Sequence, residues 1–273
     1  MSTAWIIASG KGGVGKSTIT ACLGLHMARE GLKVCIVDGD VGLRDQDAIL
    51  GLENRIVFDL LDVAQESCTL DQALLSPMDA PRLSLLPASQ FARAKELKPG
   101  AFRRILKELK KQFDLVLIDC PAGIERSLRG LMNEEIDECV LVCTPDDVCI
   151  RNAERTASVL EQKGLPRPRL IVNRLDEDLI RGGEMYSAAT VAATLDLELL
   201  GEVPDDSYVY RAALTHQFLM DIDCDARDAM IRIAQRMMHV PGAPALPGLG
   251  TQKLSWFRRL FQPTLKEVKR IDR

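Results

Sequence analysis

Two spacings alternate along the chain. Short, mostly apolar runs, each the length of a strand buried on both faces, are separated by stretches in which apolar residues return every three or four positions. The runs are Trp5-Ile6-Ile7-Ala8, Val34 to Val37, Leu83 to Leu86, Leu115 to Ile118, Cys139 to Cys143, Leu170 to Val172 and Leu199 to Val203. Helical spacing is carried by Ile19, Cys22, Leu23 and Met27, by Phe102, Ile105, Leu106 and Leu109, by residues 150–163, and by Ala226 to Met237. A short amphipathic helix is predicted from Thr69 to Leu75, within a segment 43–80 that otherwise mixes helix and loop. Together these predict an α/β fold, a doubly wound and mostly parallel sheet with helices on both faces.

The turn after the first run changes the picture. Gly10-Lys11-Gly12-Gly13-Val14-Gly15-Lys16-Ser17 fits G-x-x-x-x-G-K-[ST] and stands between a strand and a helix, the context in which that pattern wraps a nucleoside triphosphate. Glycines let backbone N–H groups approach phosphate oxygens that a Cβ would push away. The start of the following helix adds unpaired N–H groups and a partial positive charge. Lys16 is then placed to reach the β- and γ-phosphates, and the Ser17 hydroxyl to ligate Mg²⁺.

In an open parallel sheet the ligand sits outside the carboxyl ends of the strands, which gathers Lys16, Asp38, Asp40, Asp119 and Asn173 around one crevice. Asp119, after four apolar residues, suits a carboxylate that holds Mg²⁺, though an aspartate at a strand end also serves as a helix cap. Asp40 is the candidate to orient or deprotonate a water, with Asp38 supporting the metal's water shell; the alternative is that both only shape the Gly39 turn. The Gly123 N–H is expected to approach the terminal phosphate. The Asn173 amide offers a donor and an acceptor to an adenine edge, or caps a turn. Lys11 has no obvious task in its own loop, and a cation there can reach phosphates held by a second copy.

Composition bounds the rest. The chain has 273 residues, 47% of them hydrophobic and 27% charged, ordinary values for a globular protein with one large domain or two small ones. No run approaches a membrane span and no signal-peptide pattern follows Met1, so a cytosolic setting is expected. The eight cysteines form no C-x-x-C pair and the three histidines do not cluster with them, which argues against zinc or iron–sulfur binding; reduced, buried thiols are expected at Cys139 and Cys143. Seven basic and two acidic residues give 251–273 a charge of +5, leaving −9 on the rest of a chain whose net charge is −4. An acidic body does not suit nucleic-acid binding, and none is expected.

Lys11 to Thr18 is similar to the deviant Walker A motif of the MinD/ParA ATPases. The segments Asp38-x-Asp40-x-Gly42-Leu43-Arg44-x-x-Asp47, Leu86-Pro87-Ala88-Ser89-Gln90 and Asp119-x-Pro121-Ala122-Gly123-Ile124-Glu125 resemble the septum-site-determining members of that family, over residues 4 to 262. The resemblance implies an ATP site at Gly10, Lys11, Gly12, Gly13, Val14, Gly15, Lys16, Ser17 and Thr18 with Gly123 and Asn173. It implies Mg²⁺ at Ser17, with Asp119 and Asp38 beside it, and catalytic roles for Lys16, Asp40 and Lys11, the last reaching across an ATP-dependent dimer. Implied partners are MinC, a division inhibitor, and a MinE-like activator of hydrolysis. Three residues depart from the pattern: Asp45 and Gln46 replace an Asn and an aliphatic residue, and Asp146 replaces a Glu.

The end of the chain divides into a linker, 240–252, and a basic tail, 253–273, after an ATPase domain at 1–239. Three prolines and three glycines fall between Val240 and Gly250. At about 100° per residue, Leu254, Phe257, Leu260 and Phe261 share a side with Trp256 at its edge, while Arg258 and Arg259 lie opposite. That stretch resembles the family's membrane-targeting helix and suits the surface of an anionic lipid bilayer; a helix docked on the domain's own core is the alternative. Leu265, Val268 and Ile271 extend the apolar spacing past Pro263. The expected activity is ATP hydrolysis that drives cycling between cytoplasm and the inner face of the cell membrane at the division site. Rivals are a flagellar-number ATPase of the same family, a DNA-partitioning ATPase, and a nucleotide-gated membrane scaffold without hydrolysis.

Overall fold

The computed structural model describes residues 2–40, 44–89, 97–123 and 130–239. The linker and the tail, with Leu254, Trp256, Phe257, Arg258, Arg259, Leu260 and Phe261, lie outside the described residues, as do Gly42, Leu43, Gln90, Ile124 and Glu125. Seven strands form one sheet: β1 (Thr3–Ser9), β2 (Val34–Asp38), β3 (Leu83–Leu86), β4 (Leu115–Asp119), β5 (Glu138–Cys143), β6 (Arg169–Leu175) and β7 (Leu199–Pro204). Their order is β3-β2-β4-β1-β5-β6-β7, and every pair is parallel. The apolar runs are buried on both faces because helices cover both.

The helices are α1 (Lys16–Arg29), α2 (Gln46–Ile49), α3 (Leu60–Ala64), α4 (Leu70–Ala73), α5 (Pro99–Gln112), α6 (Asp147–Gln162), α7 (Glu177–Gly182), α8 (Ala188–Leu195), α9 (Ser207–Thr215) and α10 (Asp225–Met237). On α5 the predicted stripe Phe102, Ile105, Leu106 and Leu109 is buried. The helix α6 starts three residues before the predicted 150, since the Asp146 carboxylate accepts the Cys149 N–H (3.0 Å) and caps it earlier. The helix predicted from Thr69 to Leu75 ends at Ala73. Leu75 instead pairs antiparallel with Leu85, exchanging bonds of 3.0 and 2.7 Å, because the edge strand β3 offers unpaired backbone groups. All eight cysteines are unpaired, and Cys139 and Cys143 are buried as expected.

The chain crosses from one half of the sheet to the other around β1, so the β1–β4 carboxyl ends form the switch point where a crevice opens. The amino ends of the same strands form the other rim. There Met237, which ends α10, and the following Met238 and His239 line a hollow with Thr3, Trp5 and Asp137.

Candidate nucleotide site

Residues 10–15 carry β1 into α1. An added Cβ at Gly10 would stand 2.4 Å from the backbone carbonyl carbon of Asn152 in α6, so only glycine lets the loop pass there. Gly15 caps α1 at φ +91 with no side-chain hydrogen bond, leaving the first-turn N–H groups open to an anion. Asn173, at the end of β6, donates from Nδ2 to the Val14 carbonyl (2.7 Å) and braces the loop from below. That bond commits one Asn173 donor to the loop, where an adenine contact is expected from the sequence.

Lys16 opens α1 and is 7% exposed. Its Nζ lies 2.6 Å from Asp119 Oδ1 and 3.3 Å from Ser17 Oγ. Burial pushes the Lys16 pKa down, but the charge and hydrogen bond of Asp119 outweigh it and leave it above the ordinary value. Asp38 and Asp119 are register partners on adjacent strands and are both buried. Burial, and then the Asp119 charge, push Asp38 up to about 7. Its oxygens accept the N–H groups of Asp40 (3.0 Å) and Gln46 (3.3 Å), so in this arrangement Asp38 shapes the segment after β2. Burial also raises Asp40; Lys16 pulls it back, while Asp119 and Asp45 add to the rise.

A hollow of about 400 Å³ runs along the loop from Lys11 to Thr18, with Asp40, Asp45, Ala122 and Arg174 on its walls. It joins a smaller hollow between Asn173, Arg174, Pro204 and Asp206, the two sharing Gly15 and Thr18. The larger volume is within the range of small-ligand pockets. Lys11 borders the hollow, its Nζ is 3.8 Å from Asp146 Oδ1, and both side chains are about half exposed. Gly123 turns at φ +87 and donates its N–H to the Ser9 carbonyl (3.0 Å), which ties its loop to β1.

The donors suit a divalent cation that keeps most of its water. The Lys16 ammonium, itself a cation, already sits between Ser17 Oγ and Asp119 Oδ1. Among the described residues no three His, Cys, Asp or Glu side chains gather to ligate a metal directly. A hydroxyl, one or two carboxylates and phosphate oxygens are what Mg²⁺ takes in such crevices.

A family model described as "ParA: NUBPL iron-transfer P-loop NTPase" matches residues 1–238. The septum site-determining protein MinD of Bacillus subtilis is 39% identical over 241 residues, covering 87% of this chain and 90% of its own. The chain belongs to the MinD/ParA family of P-loop NTPases. The MinD/ParA fold recurs in the MinC:MinD cell division complex of Aquifex aeolicus, at a TM-score of 0.79 and 31% identity over 90% of this chain and 98% of that one. It recurs also in MinD of Pyrococcus horikoshii complexed with Mg-ADP, at a TM-score of 0.78 and 27% identity over 89% and 98%. For a MinD/ParA protein this chain carries two side chains at the crevice that its motifs do not announce. Arg174 follows Asn173 in left-handed backbone (φ +61) and borders both hollows. Gln46 is fully buried, and its amide nitrogen reaches Asp119 Oδ2 (2.7 Å) and the Ser17 carbonyl (3.0 Å). The substitution of an aliphatic residue at 46 was the one sign of it in the sequence.

Proposed function

We propose that this protein is an ATPase that places the bacterial division site. It pairs on ATP, settles on the inner face of the cell membrane as a pair, and leaves after hydrolysis. The observation that carries this reading is kinship with septum site-determining MinD proteins over nearly their whole length, 39% identity covering 90% of the Bacillus subtilis protein. A MinC-like division inhibitor is the proposed partner, since MinC stands beside MinD in the Aquifex aeolicus complex. A MinE-like activator is proposed to trigger release.

The chain's own groups supply the steps. Backbone N–H groups from Gly10 to Ser17, with Thr18 at the helix start, hold the phosphates, and Lys16 turns from Asp119 to the β- and γ-oxygens. Ser17 and Asp119, with Asp38 behind them, would hold Mg²⁺, which when bound neutralises charge on the phosphate oxygens. Asp40 orients the attacking water and takes its proton as the water oxygen bonds to the γ-phosphorus and the bond to the bridging oxygen breaks. Lys11, at the edge of the hollow, offers its charge to the partner copy's phosphates. Gly123 exchanges the Ser9 carbonyl for the terminal phosphate and so senses its loss. Asn173 and the hollow beside it take the base.

Each tail, through Leu254, Trp256, Phe257, Leu260 and Phe261 with Arg258 and Arg259, grips anionic lipid weakly; two joined in a pair grip far more tightly. The test is co-sedimentation with anionic liposomes in ATP or ADP. The full chain is expected to sediment with ATP and stay in solution with ADP. A chain ending at Gly250 is expected to stay in solution with either while keeping basal hydrolysis, and Asp40→Ala to remain on the vesicles with ATP without turnover. Equal sedimentation in ATP and ADP overturns the reading.

A further inference from the structure

Gln46 opens α2 and has no exposed surface. Its side-chain nitrogen stands between two acceptors, Asp119 Oδ2 at 2.7 Å and the Ser17 carbonyl at 3.0 Å. Because both neighbours only accept, the nitrogen must be the atom that faces them. The amide oxygen is thereby turned the other way, and it is buried with no hydrogen-bond partner. The main-chain N–H of the same residue donates to Asp38 Oδ2 (3.3 Å). One residue therefore ties α2 to the ends of β2 and β4 and to the start of α1.

The two oxygens of Asp119 are held differently. Oδ1 has Lys16 at 2.6 Å and the Thr20 hydroxyl at a distant 3.5 Å; Oδ2 has Gln46. If Lys16 turns to a phosphate, Oδ1 is released and Gln46 is the group left to fix the carboxylate's plane. We infer that Gln46 is a positioning residue for the divalent cation: it grips Asp119 through Oδ2 so that Oδ1 stays presented beside Ser17 Oγ. The inference rests on reading Ser17 and Asp119 as the cation site and adds the group that orients them. It also makes α2 a segment that responds to the cation, because the same amide belongs to that helix.

Groups that orient a metal's ligands typically change metal affinity about ten- to a hundredfold when removed. The experiment titrates Mg²⁺ into the full chain with a fluorescent ADP analogue, starting from EDTA. Gln46→Met keeps the length and removes both amide functions. It is expected to bind the analogue in EDTA within about twofold of wild type. It is expected to melt within about 4 °C of wild type and to need about tenfold or more Mg²⁺ for half-maximal tightening. In an Asp119→Asn background the same change is expected to add nothing to the Mg²⁺ midpoint. If Gln46→Met melts out of range, Gln46→Leu is read the same way, and if both do, the residue is structural and the inference is overturned. An unchanged midpoint, an equal loss of affinity in EDTA, or an effect that persists in Asp119→Asn also overturns it. Failure of the wild type to bind the analogue at any Mg²⁺ concentration instead removes the nucleotide site beneath it.

Discussion

Lys16 and Asp119 form an ion pair 2.6 Å apart with almost no solvent contact, and a second buried carboxylate, Asp38, stands on the next strand. One cation thus answers for two acids. Removing one partner of a buried pair leaves an uncompensated charge and costs about 3–5 kcal/mol. Lys16→Ala is therefore expected to lower the urea midpoint as well as abolish nucleotide binding, and adding Asp119→Asn is expected to restore much of the stability without restoring binding. Equilibrium unfolding of the single and double variants checks this. Asp38 gives a pH dependence. Its folded pKa of about 7 lies above the value of about 3.9 in an unfolded chain. The protonated carboxyl favours the fold fully below the unfolded value, and that contribution is lost as the pH rises through 7. The melting temperature without nucleotide is expected to fall between pH 5.5 and 8, and Asp38→Asn to flatten the slope. An amide oxygen left buried without a partner, as at Gln46, costs about 1–3 kcal/mol, which a bound donor would recover.

The phosphate loop is an element built between two helices, and its tightest point is against α6. Gly10→Ala would press a methyl on the Asn152 carbonyl carbon, which as backbone cannot give. Such overpacking costs about 1–3 kcal/mol, and thermal melting is expected to show it together with weaker nucleotide binding. The loop and the strands beside it were legible in the sequence because β1, β2 and β4 are continuous apolar runs ending in Ser9, Asp38 and Asp119. The crevice followed from the rule for strand ends. What was not legible depended on contacts between distant segments. Leu75 leaves its helix for an edge strand ten residues on, and α7, α8 and α9 are short helices capped by the side chains of Asp176, Ser187 and Asp206. Gln46 reads as a loop glutamine until Asp119, 73 positions away, is brought to it. The bond from the Gly123 N–H to the Ser9 carbonyl likewise depends on a segment far away in sequence.

For the whole molecule, Lys11 stands at the edge of the hollow, and among the described residues its ion pair is a half-exposed contact with Asp146 that contributes at most about 1 kcal/mol. Little is lost by moving it. Lys11→Ala is expected to keep ATP binding while losing the proposed ATP-dependent shift from one copy to two in light scattering. A shift retained in the variant assigns the pairing to other contacts. The direction of the strands then sets a wider condition. The phosphate rim stands at the carboxyl end of β1, whereas Met237 to His239 lie at its amino end, and seven residues of strand span about 20 Å. The phosphate loop and the last described residues, Met237 to His239, therefore stand at opposite poles of the domain. Whatever passes between the phosphate rim and the end of α10 travels as a relay through the rigid body of the sheet, never by touch.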